Sequence, residues 1–436
     1  MLTVTDSNAS AAMSYTPGAP GDRDSRAQAS SRRAPRATRR GVLGALSAVA
    51  VGGLATMAGC QSQATGQAAE SPGAAEASAT TSAAPPVDIQ VFPAQGGQIL
   101  DPARGVTIHI SHGKVTSMTA RDSKGNAYPG KVDRYSWKPD SPFPINEKIT
   151  LTASVIDTLG VPSYPTFTFQ TIDAPVQKFY LRYTDMTVGT GMPVMVQFNK
   201  AVPEAYRAAI EKKMELTVDP PQTGAWGWQR GGTLLAFRPQ EYWKPGTKIT
   251  IKAPLVGIQA NDTSYFNRVA EGTMTIGPSR SAVVKIDQHK TILYENGKAV
   301  RTFPSTAGKP GWVTRSGKKV ISEKDQHVVM DAGSLGVDKN SPEYYRLDVY
   351  WAMRVTDTGE FIHAAPWSVG SQGRENVSHG CVGLSMDNAR TLYNFLQIGD
   401  VVEFTGSDRI FKSTEGIGVW QYTWEEWQKL SAVGQS

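Results

Sequence analysis

Apolar and polar positions alternate in short runs along most of this chain, a pattern that predicts strands rather than helices. Val106-Thr107-Ile108-His109-Ile110 alternates, as does Ile149-Thr150-Leu151-Thr152, and Gly and Pro punctuate the gaps. The plan then repeats. Trp137-Lys138-Pro139 precedes Lys148-Ile149-Thr150, and one hundred residues later Phe237-Arg238-Pro239 precedes Lys248-Ile249-Thr250. Residues 87–173 and 174–279 therefore read as two β-sandwich modules of immunoglobulin-like size. The second adds a helix from Pro203 to about Lys213. His109 and His112 fall opposite or beyond the apolar positions and are expected to be exposed and inert. Trp226 and Trp228 are expected in the sandwich core rather than on a carbohydrate-binding face.

Residues 280–405 carry a different pattern. Val283–Ile286 and Thr291–Tyr294 read as strands, and Asn296-Gly297 is a two-residue hairpin signal into Ala299–Phe303. Further strands are expected at His327–Met330, Arg346–Val355, Glu360–His363 and Val401–Phe404. One helix stands out, with Ser385 as N-cap and Ala389, Leu392, Phe395 and Leu396 on one face. The chain is thus mainly β. In the tail, 406–436, Trp420, Trp424 and Trp427 stand at helix-like spacing and are expected to pack on a neighbouring domain.

The first 59 residues read as an export signal. Arg39-Arg40 opens a twin-arginine pattern, and a weakly apolar run follows from Val42 to Ala58. It ends in Met57-Ala58-Gly59-Cys60, which resembles a bacterial lipobox; that resemblance implies a diacylglyceryl thioether at Cys60, a two-chain membrane anchor. Residues 60–86, rich in Ala, Ser, Thr and Gly, cannot offset their ordering entropy and read as a disordered tether. The whole chain is +6, but the signal holds seven Arg and three Asp, which leaves about +2 beyond it. No basic run is interleaved with aromatics, so nucleic acid is not an expected partner.

The chemistry centres on Cys381, in Ser378-His379-Gly380-Cys381, with His363 upstream. With Cys60 taken by the lipobox, Cys381 has no disulfide partner. A thiol needs a base, and His363 at a strand end can supply it. Because Ala364 follows, a backbone carbonyl would have to orient the imidazole. The N–H groups of Gly380 and Cys381 could face a developing oxyanion. A Cys381/His379/His363 zinc site and a structural cysteine are the competing readings; the spacing fits no usual zinc pattern.

Residues 280–405, with His363, Ser378-His379-Gly380-Cys381 and Val382, resemble the catalytic domain of the L,D-transpeptidases, the YkuD-like fold. Tether, two immunoglobulin-like modules, catalytic domain and Trp-containing tail resemble the actinobacterial lipoprotein type. The resemblance implies a cysteine acyltransferase without a cofactor or metal. In it Cys381 is the nucleophile, His363 the base oriented by the Ala364 carbonyl, and His379 and Gly380 shape the site. Tyr345, Met330, Trp367, Thr358, Gly359, Ser378 and Gly383 would line the substrate cleft. It further implies peptidoglycan stem peptides as substrate, 3→3 cross-links as product and carbapenem β-lactams as covalent inhibitors. Location would be the outer face of the plasma membrane, in the wall space. Gly383 stands where most members carry Asn, which implies a lost side-chain hydrogen bond and leaves a non-catalytic wall-binding lipoprotein as the alternative. Papain- or NlpC-like hydrolases usually place Cys before His, the reverse of the order here.

Overall fold

The computed structural model describes residues 85–99 and 101–434. The export signal, Cys60 and the tether up to residue 84 lie outside the described residues. In the first sandwich, one sheet runs Asp88–Phe92, Val106–Ser111, Ser136–Pro139, Gly130–Asp133. The facing sheet runs Gln98–Ile99, Thr166–Thr171, Lys148–Asp157, Gly113–Asp122, Ala127–Tyr128. Trp137, Phe143, Leu151 and Phe169 fill the space between them. His109 and His112 are exposed.

The second sandwich uses the same topology. Its sheets run Phe179–Arg182, Val194–Phe198, Leu234–Pro239, Gly224–Gln229 and Met186–Val188, Val269–Ile276, Lys248–Pro254, Glu215–Asp219. In both modules the short second strand pairs parallel with the last one. The added helix spans Glu204–Glu211, with Pro203 at its N-cap. Trp228 is buried, stacked on Phe198, and donates from Nε1 to Glu211 at 2.9 Å.

Two sheets also build the last domain. The first orders Lys298–Pro304, Lys290–Glu295, Arg280–Lys285, Val401–Thr405, Gly317–Val320. Asn296 and Gly297 turn its hairpin with φ of 51° and 75°, the left-handed pair that a type I′ turn demands. The second sheet orders Glu323–Asp331, Arg346–Arg354, Phe361–Ala364, Val382–Leu384. The strand around His327–Met330 is longer than its sequence pattern suggests, because its pairing with Arg346–Arg354 carries it through polar positions. The helix Met386–Phe395 is capped by Ser385, which accepts from the Asn388 N–H, and buries Ala389 and Leu392.

The tail does not form one helix through its tryptophans. Trp420 sits in a short 3-10 turn, Tyr422 is extended, and a separate helix spans Trp424–Gln428. All three indoles still converge on Arg238 of the second sandwich, at 4.8, 5.3 and 5.2 Å. Trp427 is fully buried and donates to the Ala225 carbonyl at 2.9 Å. The tail thus completes the core of the second sandwich.

Candidate active site

His363 lies in the buried strand Phe361–Ala364, and Cys381 immediately precedes Val382–Leu384. These strands pair in parallel, Ile362 with Val382 and His363 with Gly383. Parallel pairing places a strand-borne imidazole and a turn-borne thiol at one end of the sheet. Both line one cleft, together with Met330, Tyr345, Trp367, Ser378, His379 and Gly383. Leu347, Val349 and Thr306 add to its walls.

His363 is buried, and its Nδ1 is 2.8 Å from the Ala364 carbonyl oxygen. Only a protonated Nδ1 can meet a carbonyl, so Nε2 of the neutral ring carries a free lone pair. Burial pulls the imidazole pKa below its ordinary value; the Ala364 carbonyl opposes this. The ring is therefore a proton acceptor over a wide pH range.

Cys381 is 8% exposed. Burial pushes its thiol up to about 12, with the Phe361 N–H opposing. At rest its sulfur donates weakly to the Gly359 carbonyl at 3.6 Å, and no hydrogen bond joins it to His363. Burial thus disfavours both charged forms, the thiolate and the imidazolium. Proton transfer must then accompany attack.

The turn before the thiol is held tightly. Gly380 has φ 120°, a region that favours glycine. Its N–H donates to Ser378 Oγ at 3.1 Å, and Ser378 Oγ donates to the Cys381 carbonyl at 2.6 Å. One sequence expectation is corrected: the Gly380 N–H is taken by Ser378 Oγ and is not turned toward an oxyanion. Ser378 borders the cleft as expected, with its hydroxyl hydrogen-bonded within the turn. The Cys381 N–H donates to nothing among the described residues and remains the candidate oxyanion donor.

His379 is wedged between Trp312 and Tyr345, with ring centroids 5.0 Å away on either side. Its Nε2 contacts Glu343, which also accepts from Lys309 Nζ at 2.7 Å. Sequence reasoning missed Glu343, which is distant in the chain and sits in no motif. Trp367 stands over His363 with ring centroids 6.1 Å apart and is 55% exposed, an open apolar wall.

Thr358 and Gly359 do not line this cleft. The Thr358 hydroxyl turns back to Thr356 at 3.0 Å, and Gly359 offers its carbonyl to the thiol. Gly383 borders the cleft but is packed on every side. A Cβ there would lie 3.0 Å from both Ala365 Cβ and Thr306 Cγ2. Its φ is not in the left-handed region, and it exchanges both backbone hydrogen bonds with Thr306, at 2.9 and 3.0 Å. A side chain at this position would require Ala365 or Thr306 to give by a few tenths of an ångström. A zinc site finds no support in the geometry: among the described residues no three His, Cys, Asp or Glu side chains gather as metal ligands.

Residues 279–404 match the L,D-transpeptidase catalytic domain, and residues 98–259 match the bacterial Ig domain in one stretch that runs across both sandwiches. L,D-transpeptidase 2 of Mycobacterium tuberculosis is 30% identical over 78% of this chain and 86% of that protein. L,D-transpeptidase 1 of the same organism is 35% identical over 50% of this chain and 80% of that protein. A solved L,D-transpeptidase structure in complex with imipenem is 31% identical, covers 53% of this chain and 100% of that one, and has a TM-score of 0.45. The chain belongs to the L,D-transpeptidases, acyltransferases of peptidoglycan cross-linking.

Proposed function

We propose that Cys381 is the acylated nucleophile and His363 its general base, acting on the tetrapeptide stem of peptidoglycan. The observation that carries this reading is the neutral, buried imidazole fixed by Ala364 in the same cleft as the thiol. The sulfur attacks the carbonyl on the L-centre of diaminopimelate at stem position three, and its proton passes to His363 Nε2. The oxyanion is received by the Cys381 N–H. The C–N bond to D-Ala breaks, and its nitrogen takes the proton from His363. An amine of a second stem then attacks the thioester and gives its proton to His363; the C–S bond breaks, the Cys381 sulfur takes that proton back, and a 3→3 amide and the free thiol remain. Tyr345, Met330 and Trp367 supply apolar surface for the stem.

The test is incubation with a disaccharide-tetrapeptide. A dimer lighter than two substrates by one D-Ala supports the reading; D-Ala release without dimer makes the protein a hydrolase.

The same thiol suits carbapenems. A Sγ–C bond forms, the strained β-lactam C–N bond opens, and the proton goes to the ring nitrogen. Membership of a family with a member solved in complex with imipenem supports this. Cys60 in its lipobox-like setting supports a lipid anchor on the outer face of the membrane. Cys60→Ser should release the protein to the soluble fraction; retention after a salt wash would remove the anchor.

A further inference from the structure

Behind the nucleophile, away from the cleft, lies a buried ionic cluster that the reaction does not use directly. The Glu360 carboxylate accepts from Lys319 Nζ at 2.6 Å and from Arg315 Nη1 at 2.8 Å. Side-chain exposure is 0% for Lys319, 5% for Glu360 and 12% for Arg315. Lys319 Nζ also stands 3.8 Å over the Phe404 ring. Arg315 reaches on to Glu415 at 3.2 Å. Burying such charges costs several kcal/mol each, and an apolar replacement is often no less stable. Stability alone is therefore a poor account of it.

Its neighbours suggest another role. The residues flanking Glu360 hold the thiol: Gly359 accepts from the sulfur, and the Phe361 N–H opposes the rise in its pKa. The residue before Arg315 holds the preceding turn, since Thr314 Oγ1 donates to the Gly380 carbonyl at 2.8 Å. A Cβ on Gly380 would lie 3.7 Å from Glu360 Cγ. The two backbone grips on the nucleophile thus come from segments that the Arg315–Glu360 ion pair joins.

We propose that Glu360, clamped by Lys319 and Arg315, is a positioning residue that fixes the Gly380–Cys381 turn and balances the charge beneath the thiol. The inference rests on Cys381 being the nucleophile. Glu360 opposes thiolate formation, whereas Lys319 and Arg354 favour it. Tyr345, His363 and His379 are the titratable groups that share the cleft with the thiol.

The test uses the full chain with Glu360→Gln, Lys319→Met and the double variant, each checked for folding by near-UV circular dichroism. Iodoacetamide alkylation at pH 8 is read on the Cys381 peptide by mass spectrometry, and this needs no substrate. Removing the negative charge should speed alkylation about tenfold, and removing Lys319 should slow it about tenfold, because one pKa unit is tenfold in thiolate. The double variant should return near the native rate. Acylation by the tetrapeptide should nevertheless fall at least tenfold in the double variant, in kcat and not in KM, because the turn loses its clamp. Should Lys319→Met fail to fold, the double variant must still alkylate about tenfold more slowly than Glu360→Gln. Same-sign or under twofold changes in alkylation, or native acylation in the double variant, would overturn the proposal. A failure of tetrapeptide acylation in the native protein, with the alkylation pattern intact, would instead fall on the reading of Cys381 as nucleophile.

Discussion

A Cβ placed on Gly383 would stand 3.0 Å from the Cβ of Ala365. That separation is tighter than ordinary packing, and Thr306 closes the opposite side at the same distance. A side chain on residue 383 would therefore press on both neighbours beside the thiol. Overpacking of this kind costs about 1–3 kcal/mol. Gly383→Asn, despite matching the usual family residue, should lower the thermal midpoint by several degrees and leave acylation no faster. A stable Asn variant with higher turnover would show that the glycine is a lost substrate contact after all.

The His363 arrangement predicts both a magnitude and a pH dependence. His363→Gln should slow acylation by roughly 10²–10⁴-fold, the usual worth of a general base. Burial lowers the imidazole pKa, so the acid limb of the acylation profile should lie below about 6.5, the ordinary histidine value. A limb at or above that value would place the ring in an exposed setting and remove it as the cleft base.

Asp400 offers a test of stability. It is fully buried, accepts from the Gln397 N–H at 2.9 Å, and leaves Oδ1 without a partner among the described residues. Burial pushes its carboxyl up to about 7, with Gln397, Arg280 and Lys324 opposing. Its folded pKa thus exceeds its unfolded value near 3.8. The stability it contributes is complete below about pH 4 and is lost as pH rises toward 7. Asp400→Asn should gain on the native protein between pH 4.5 and pH 8, by about 3 kcal/mol at about 1.4 kcal/mol per unit. Urea midpoints at the two pH values check this; an equal offset at both would show that Asp400 does not titrate in that window.

What the sequence made legible was local. The hairpin at Asn296-Gly297, the Ser385 cap and the Ser378-His379-Gly380-Cys381 turn each depend on neighbours in the chain, and each forms. The orienting carbonyl of Ala364 could be named because it is one residue from His363. What was hidden depends on distant partners. Lys319 sits in no sequence motif, yet it is buried against Glu360, 41 residues away. Thr358 and Gly359 were assigned to the cleft by resemblance, but their turn closes on Thr356 and on the back of the thiol. The tail tryptophans suggested one helix; their common target, Arg238, belongs to a strand nearly two hundred residues earlier, and that contact overrides their spacing.

The most direct test of the account is the fate of the Cys381 peptide during turnover. The native protein, mixed with a disaccharide-tetrapeptide and quenched in acid, should yield a Cys381 peptide heavier by the stem acyl group, with one D-Ala released per thioester formed. Cys381→Ala should show neither, at an unchanged thermal midpoint. Release of D-Ala by the folded Cys381→Ala protein, or an acyl group mapped to another residue, would contradict the account.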